Sequence, residues 1–245
     1  MIRHSIPNLF TVGNLFLGII SIMLVFHERP DLAAILVIVA MLLDGLDGRI
    51  ARALKVQSEF GKELDSLSDV VSFGVAPALI VYWTAFQHLS HQPLVWMLTA
   101  VFPACGALRL ARFNAQGNVA GSFVGLPIPA AGGILATLAL FGQQIKSPAF
   151  LMGCMLALSF LMVSTVRYPS FKMVRLSRRA WRWVPFALAG AVVLAVRFPG
   201  QLSRFLFVPL VLYALWGIKQ NVDALAYYVF RRRRREVEDG VNREA

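Results

Sequence analysis

A chain of 245 residues that is 58% hydrophobic and 15% charged has too little charge to cover the outside of one soluble domain. With a mean hydropathy of +0.65 and apolar runs of near-bilayer length recurring along it, the chain is expected to be an integral membrane protein. The net charge of +11 fits nucleic acid poorly, because most of the chain belongs in lipid; cytoplasmic loops and an anionic substrate account for it more simply.

Spans are predicted near 8–26, 32–52, 66–86, 93–112, 128–145, 148–166, 183–198 and 203–218. The first follows Arg3 directly, with no small-x-small cleavage site before the next span, and is read as a retained helix. Asn8 and Thr11 stand at its cytoplasmic start, where they either cap the helix or face a site. Pro77, Pro127 and Pro129 predict bends inside or at the start of later spans. Cys105 and Cys154 lie in apolar segments and read as small buried hydrophobes, not a disulfide framework. The last two spans are short and fit equally a re-entrant or interfacial pair. The expected fold is all-α: a polytopic transmembrane bundle of six core helices plus a C-terminal pair, eight in total. With both termini in the cytoplasm, only Arg29, Lys146, Arg197 and Arg204 of the 24 Lys and Arg fall outside, as the positive-inside rule requires. The run Arg231 to Arg235 opens a charged tail suited to anionic headgroups.

Four aspartates stand out against this apolar background. They lie in Asp44-Gly-Leu-Asp47-Gly48-Arg-Ile-Ala51-Arg52 and, after eight residues, Gly61-Lys-Glu-Leu-Asp65-Ser-Leu-Ser-Asp69. Ionisable groups at membrane depth are costly and default to function. At 100° per residue, Asp44, Asp47, Gly48, Ala51 and Arg52 share an arc of about 140°. Gly61, Asp65 and Asp69 form a second stripe at i, i+4 and i+8. A short connection makes the two helices antiparallel neighbours, so facing stripes bring four carboxylates together. Such a cluster needs cations, and an all-oxygen set suits Mg2+ or Mn2+ over Zn2+. Two metals bridged by carboxylates serve phosphoryl chemistry. Gly48 and Ala51 leave room for a diphosphate, and Arg52 can reach a phosphate. A solvated network with Arg49, Arg52, Lys55 and Lys62 would explain charge at a helix end, but not two facing stripes with glycines between the acids.

The pattern D-x2-D-G-x2-A-R-x8-G-x3-D-x3-D resembles the signature of the CDP-alcohol phosphatidyltransferase family, without a departure. The resemblance extends to Ile6-Pro-Asn-Leu-Phe-Thr-Val-Gly-Asn14, Phe60 to Pro77, Leu108-Arg-Leu-Ala-Arg-Phe-Asn114 and Phe123-Val-Gly-Leu-Pro-Ile-Pro-Ala-Ala131. These stretches are similar to the bacterial and archaeal phosphatidylserine synthase branch, and the likeness covers roughly residues 5–170. It implies that Asp44, Asp47, Asp65 and Asp69 hold two divalent ions, and that Asp69 is also the general base. It implies CDP-diacylglycerol as donor, with Gly48, Arg52, Ser58 and Gly61, joined by Asn8 and Thr11, at its nucleotide end. L-serine is the implied acceptor and CMP the leaving product. Arg109 and Arg112 either hold the serine carboxylate or anchor the topology; Asn114 follows, and Glu63 could hold the amine. A direct carboxylate contact at Arg112 predicts that Arg112→Ala raises the serine requirement far more than the CDP-diacylglycerol requirement. A homodimer in the inner membrane, with the active site and both termini facing the cytoplasm, completes the implied picture.

Three rivals remain at this point. One is a sister transferase with inositol, inositol phosphate or glycerol phosphate as acceptor, for which Arg167 and Lys172 are available. The second is a prenyltransferase, which would not need the interleaved Gly, Ala and Arg. The third is a cation transporter, whose acids belong near the midplane and not toward one helix end. The expected domains are 1–170 catalytic, 171–230 a basic cytoplasmic loop and added hairpin, and 231–245 a charged tail.

Overall fold

The computed structural model describes residues 2–54, 58–116, 122–141, 147–169, 207–216 and 219, for 2–7, 46–54, 116, 122, 123, 167 and 169 by backbone alone. Its helices are α1 (Ile2–Phe26), α2 (Pro30–Leu54), α3 (Glu59–Phe86), α4 (Gln92–Gln116), α5 (Ile128–Leu140), α6 (Pro148–Val163) and α7 (Phe207–Trp216). These are seven helical rods among the described residues where eight were expected. The first six predicted spans and the eighth coincide with these helices, whereas 183–198 lies outside the described residues. The charged tail and Lys172 also lie outside them.

Among the described residues, three helices are long and apolar enough to cross a membrane: Asn8–Phe26, Glu59–Phe86 and Gln92–Ala115. The chain is thus a helical membrane protein by length and composition. Two expected spans are shorter than predicted. With 13 and 16 residues, α5 and α6 reach only about 20 and 24 Å against a hydrocarbon core of about 30 Å. The fold is helical as expected, with one short antiparallel tie added: strand β1 (Ser122–Val124) pairs with β2 (Arg167–Pro169). Leu126 and Gly125 extend the tie, their N–H groups donating to Leu161 and Val166 carbonyls at 3.0 and 2.8 Å. Gly125, at φ +80°, makes the turn from β1 toward α5 in a conformation that favours glycine.

A tight turn joins α1 to α2, with Glu28 at φ 59° and Pro30 opening the next helix. The buried Ser21 hydroxyl donates to the Ala33 carbonyl at 2.9 Å and pins the hairpin. The core lies around α5, which is buried from Ala130 to Ala139, and a helix apolar on every side belongs in such a position. Ala33, Ala34, Val37 and Phe73 belong to the same core.

Adjacent glycines let α5 approach both α2 and α3. A Cβ on Gly132 would strike the Phe73 carbonyl and lie 2.9 Å from its Cα; one on Gly133 would lie 2.9 Å from Met41 Sδ. The contact with Phe73 falls where α3 changes form. The helix is α-helical to Asp69, π-helical over Val70–Val75, α-helical over Ala76–Val81 and π-helical again to Phe86. Pro77 has no N–H to offer the Phe73 carbonyl in an α turn, and the helix widens just before it. Only a residue without a side chain can close against that carbonyl, and Gly132 occupies the position.

Candidate active site

Asp44 comes from the second half of α2, and Asp65 and Asp69 from the first turns of α3. One carboxylate oxygen from each lies within 4.8 Å of the other two. Asp69 is buried and Asp44 and Asp65 are half-buried. Asp65 Oδ1 is buried with no hydrogen-bond partner among the described residues. A carboxylate oxygen without a donor, close to two further carboxylates, is a costly arrangement unless a cation completes it. The donor set fits a hard divalent ion. Asp47, Gly48 and Arg52 lie on α2 beyond Asp44; their side chains fall outside the described residues.

Local sequence sets the start of α3. Ser58 is its N-cap, extended at φ −123° and ψ 151°, and its hydroxyl accepts from the Gly61 N–H at 3.0 Å. A Cβ on Gly61 would lie 3.0 Å from Asn8 Oδ1 and 3.1 Å from Ser58 Oγ, so Asn8, Ser58 and Gly61 meet at one point. Lys62 pairs with Glu59 at 2.6 Å on the exposed side of this turn.

Hydrogen bonds to α1 hold Asp69 from either side along α3. Ser68 Oγ donates to the Thr11 carbonyl at 3.1 Å, and Ser72 Oγ to the Asn14 carbonyl at 2.9 Å. Thr11 is therefore buried on α1 against the residue that precedes Asp69. The Asn14 side chain is fully buried, and neither of its amide atoms has a hydrogen-bond partner among the described residues. The sequence reading gave no role to Ser68, Ser72 or Asn14. The signal was there: Asn8, Thr11 and Asn14 at i, i+3 and i+6, and Ser68 and Ser72 at i and i+4, put polar stripes on two apolar helices.

The C-terminal end of α4 carries the three residues expected at the acceptor, in three different settings. Arg109 is buried, 6% exposed, with its guanidinium 5.9 Å over the Phe113 ring and Nε without a hydrogen-bond partner among the described residues. Arg112 instead donates to backbone carbonyls: Val163 at 2.8 Å, Ser164 at 3.2 Å, Val124 at 3.4 Å and Met162 at 3.5 Å. It caps the C-terminal end of α6 and ties it to β1. Asn114 reaches α3, donating to Ser66 Oγ at 3.0 Å and, more weakly, to the Glu63 carboxylate at 3.4 and 3.5 Å.

The chain is similar to known proteins over most of its length. A family model described as CDP-alcohol phosphatidyltransferase matches residues 4–166. The CDP-diacylglycerol–serine O-phosphatidyltransferase of Helicobacter pylori strain J99 is 36% identical over 236 residues, which cover 94% of this chain and 96% of that protein. The protein of the same name from Bacillus subtilis strain 168 is 37% identical over 170 residues, 69% of this chain and 92% of that one. Archaetidylserine synthase of Methanothermobacter thermautotrophicus is 40% identical over 169 residues, 67% of this chain and 70% of its own.

Proposed function

The chain belongs to the CDP-alcohol phosphatidyltransferase family, and on that footing we propose that it transfers the phosphatidyl group of CDP-diacylglycerol to L-serine, giving phosphatidylserine and CMP. The observation that carries the chemistry is the meeting of Asp44, Asp65 and Asp69 within 4.8 Å, with a buried carboxylate oxygen of Asp65 lacking a hydrogen-bond partner among the described residues. The acceptor follows from what the similar full-length relative is named for.

In this reading Asp44, Asp47, Asp65 and Asp69 hold two divalent ions, Mg2+ or Mn2+, which when bound neutralise the diphosphate and stabilise the departing CMP. Asn8, Thr11, Gly48, Arg52, Ser58 and Gly61 receive the nucleotide end. Asp69 takes the proton from the serine hydroxyl as its oxygen bonds to the β-phosphorus. The bond between that phosphorus and the bridging oxygen breaks, and CMP leaves with the electron pair. Ser68 and Ser72 fix the helix that carries Asp69, so the base keeps its place through the reaction. Arg109 holds the serine carboxylate, and Glu63 and Asn114 receive its amine and hydroxyl side. Arg112 serves the same pocket by holding the end of α6.

The finer architecture belongs to the same proposal. Residues 1–170 form the catalytic domain, 171–230 a basic loop and an added hairpin, and 231–245 a charged tail. Eight spans place the active site and both termini on the cytoplasmic side of the inner membrane, with two copies forming a homodimer.

The test is CMP release by purified protein with Mn2+ or Mg2+, CDP-diacylglycerol and, separately, serine, inositol, inositol phosphate and glycerol phosphate. Release with serine is expected. No CMP with any alcohol refutes the transferase reading, and release with another acceptor but not serine refutes the assignment of serine.

A further inference from the structure

At the end of the bundle opposite the candidate active site, a cavity of about 380 Å3 opens between the starts of α4 and α6. Leu94, Val95 and Leu98 of α4 line it together with Pro148, Ala149 and Met152 of α6. Leu89, Ser90 and His91, from the turn between α3 and α4, complete the wall, which is almost wholly apolar. The size is that of a small-ligand site. Hydrogen bonds hold the turn in shape. The Gln92 amide donates to the carbonyls of Phe86, Gln87 and Leu89 at 3.2, 2.8 and 2.9 Å. Tyr82 donates its hydroxyl to Gln92 Oε1 at 2.8 Å, and Trp96 Nε1 donates to the Tyr82 hydroxyl at 2.9 Å. On the other wall, Ser147 caps the first turn of α6, accepting from the Phe150 N–H at 3.4 Å. The cavity is therefore preformed, its two walls fixed by bonds that no occupant has to make.

Its surroundings decide what fills it. Leu94, Trp96, Met97 and Phe150 stand around it, each more than half exposed. The cavity is thus a recess in the apolar outer surface that this helical membrane protein turns toward lipid. Water is a poor occupant, because the wall offers it too few polar partners. Depth favours an acyl chain. From the end that Arg112 holds, α6 reaches only about 24 Å, so Pro148 lies at the level of hydrocarbon and not of headgroups. An acyl chain is narrow, flexible and apolar, and the bilayer presents one to this face at all times. The exposed Ser90 hydroxyl and His91 ring stand at the mouth, where they can donate to phosphate or ester oxygens.

We propose that this recess is a resident-phospholipid site: it takes one acyl chain of a lipid from the leaflet opposite the candidate active site, with the headgroup outside beside Ser90 and His91. The lipid held there is not the reacting donor, and the inference stands whichever alcohol is the acceptor. It makes the recess a fixed seat for lipid between α4 and α6, unlike the convex helix faces over which bilayer lipid exchanges freely.

The test uses the full chain in phosphatidylcholine vesicles that carry a small fraction of phosphatidylcholine with a diazirine on one acyl chain. The sample is irradiated before and after a delipidating detergent wash, and the adducts are mapped by mass spectrometry of peptides. Adducts are expected to concentrate on residues 89–98 and 148–152 and to survive the wash there, while adducts on the exposed face of α1 are lost. Ala149→Trp puts an indole into the recess from an exposed position, and it is expected to remove that labelling. Val208→Trp, an equally bulky change on the exposed face of α7, is expected to leave it intact. The melting temperature checks that each variant is folded; if Ala149→Trp melts early, Leu98→Phe fills the recess from the α4 side and is read in the same way. Undiminished labelling in the filled variant overturns the inference. Adducts spread evenly along the lipid-facing helices, or lost from the recess as readily as from α1, mark ordinary bilayer contact and overturn it too. Cross-links between two copies at these residues in place of lipid adducts give the recess to a second copy and overturn it as well.

Discussion

Replacing Arg112 by Ala separates two roles that one arginine near a membrane surface can have. A direct grip on the serine carboxylate predicts a raised serine KM in a stable protein. The geometry predicts a different outcome, because the guanidinium already donates to four carbonyls at the ends of α6 and β1. Two of these bonds are short, at 2.8 and 3.2 Å, and two are at the limit of a hydrogen bond. Each good bond from a charged donor contributes about 1.5–3 kcal/mol when sheltered, and the long pair little. The Val163 carbonyl lies at an exposed position where water can replace the donor. The expected loss is therefore about 2–3 kcal/mol. For a chain of this size that lowers the melting temperature by roughly 4–12 °C. The assay is thermal unfolding of the detergent-solubilised protein, paired with kinetics at a temperature where the variant stays folded. There kcat is expected to fall and both KM values to shift together, since the damage is to a wall and not to one ligand. A variant with wild-type melting and a serine KM raised alone would refute this reasoning and return Arg112 to direct contact with substrate.

Asp69→Asn is expected to abolish CMP release while CDP-diacylglycerol still binds, because the amide keeps the shape but cannot take the proton; equilibrium binding of a labelled nucleotide lipid beside the turnover assay checks both halves. Gly132→Ala forces a methyl against the Phe73 carbonyl and Cα, with an expected cost of about 1–3 kcal/mol and a lower kcat as the segment after Asp69 shifts. Gly153→Ala meets nothing within 4 Å and is expected to melt and turn over as the wild type does; equal effects at the two glycines would remove the argument from close approach.

Periodicity carries a long way in this chain. Helix positions could be anticipated because apolar runs of bilayer length have few other uses, and the aspartate stripes because carboxylates in such runs are rare. The meeting of Asp44 with Asp65 and Asp69 follows from two facing helices and a short link. What was not legible depends on partners distant in sequence. A proline at 77 suggests a bend, but the π-helical register from Val70 needs the socket at Gly132, some sixty residues later. The strand pair joins Val124 to Arg167 across a whole helical hairpin, and three residues on each side are too few to leave a pattern. Arg109 and Arg112 look alike on paper, three apart on one helix. Only the folded chain distinguishes the buried cation over Phe113 from the one that gathers carbonyls.

The Gly132–Gly133 socket also has a consequence for the order in which the protein is made. The ribosome delivers all four aspartates by residue 69, some sixty residues before the glycines that seat their helices. A nascent chain that has reached the end of α4 owns every expected metal ligand, yet the glycines that meet Phe73 and Met41 have not been made. α5, the helix at the centre, arrives fifth and must enter a space its predecessors have left open. With only 13 residues it is too short to wait in lipid as an independent span. Its arrival is the assembly step at which a collection of inserted helices becomes an enzyme.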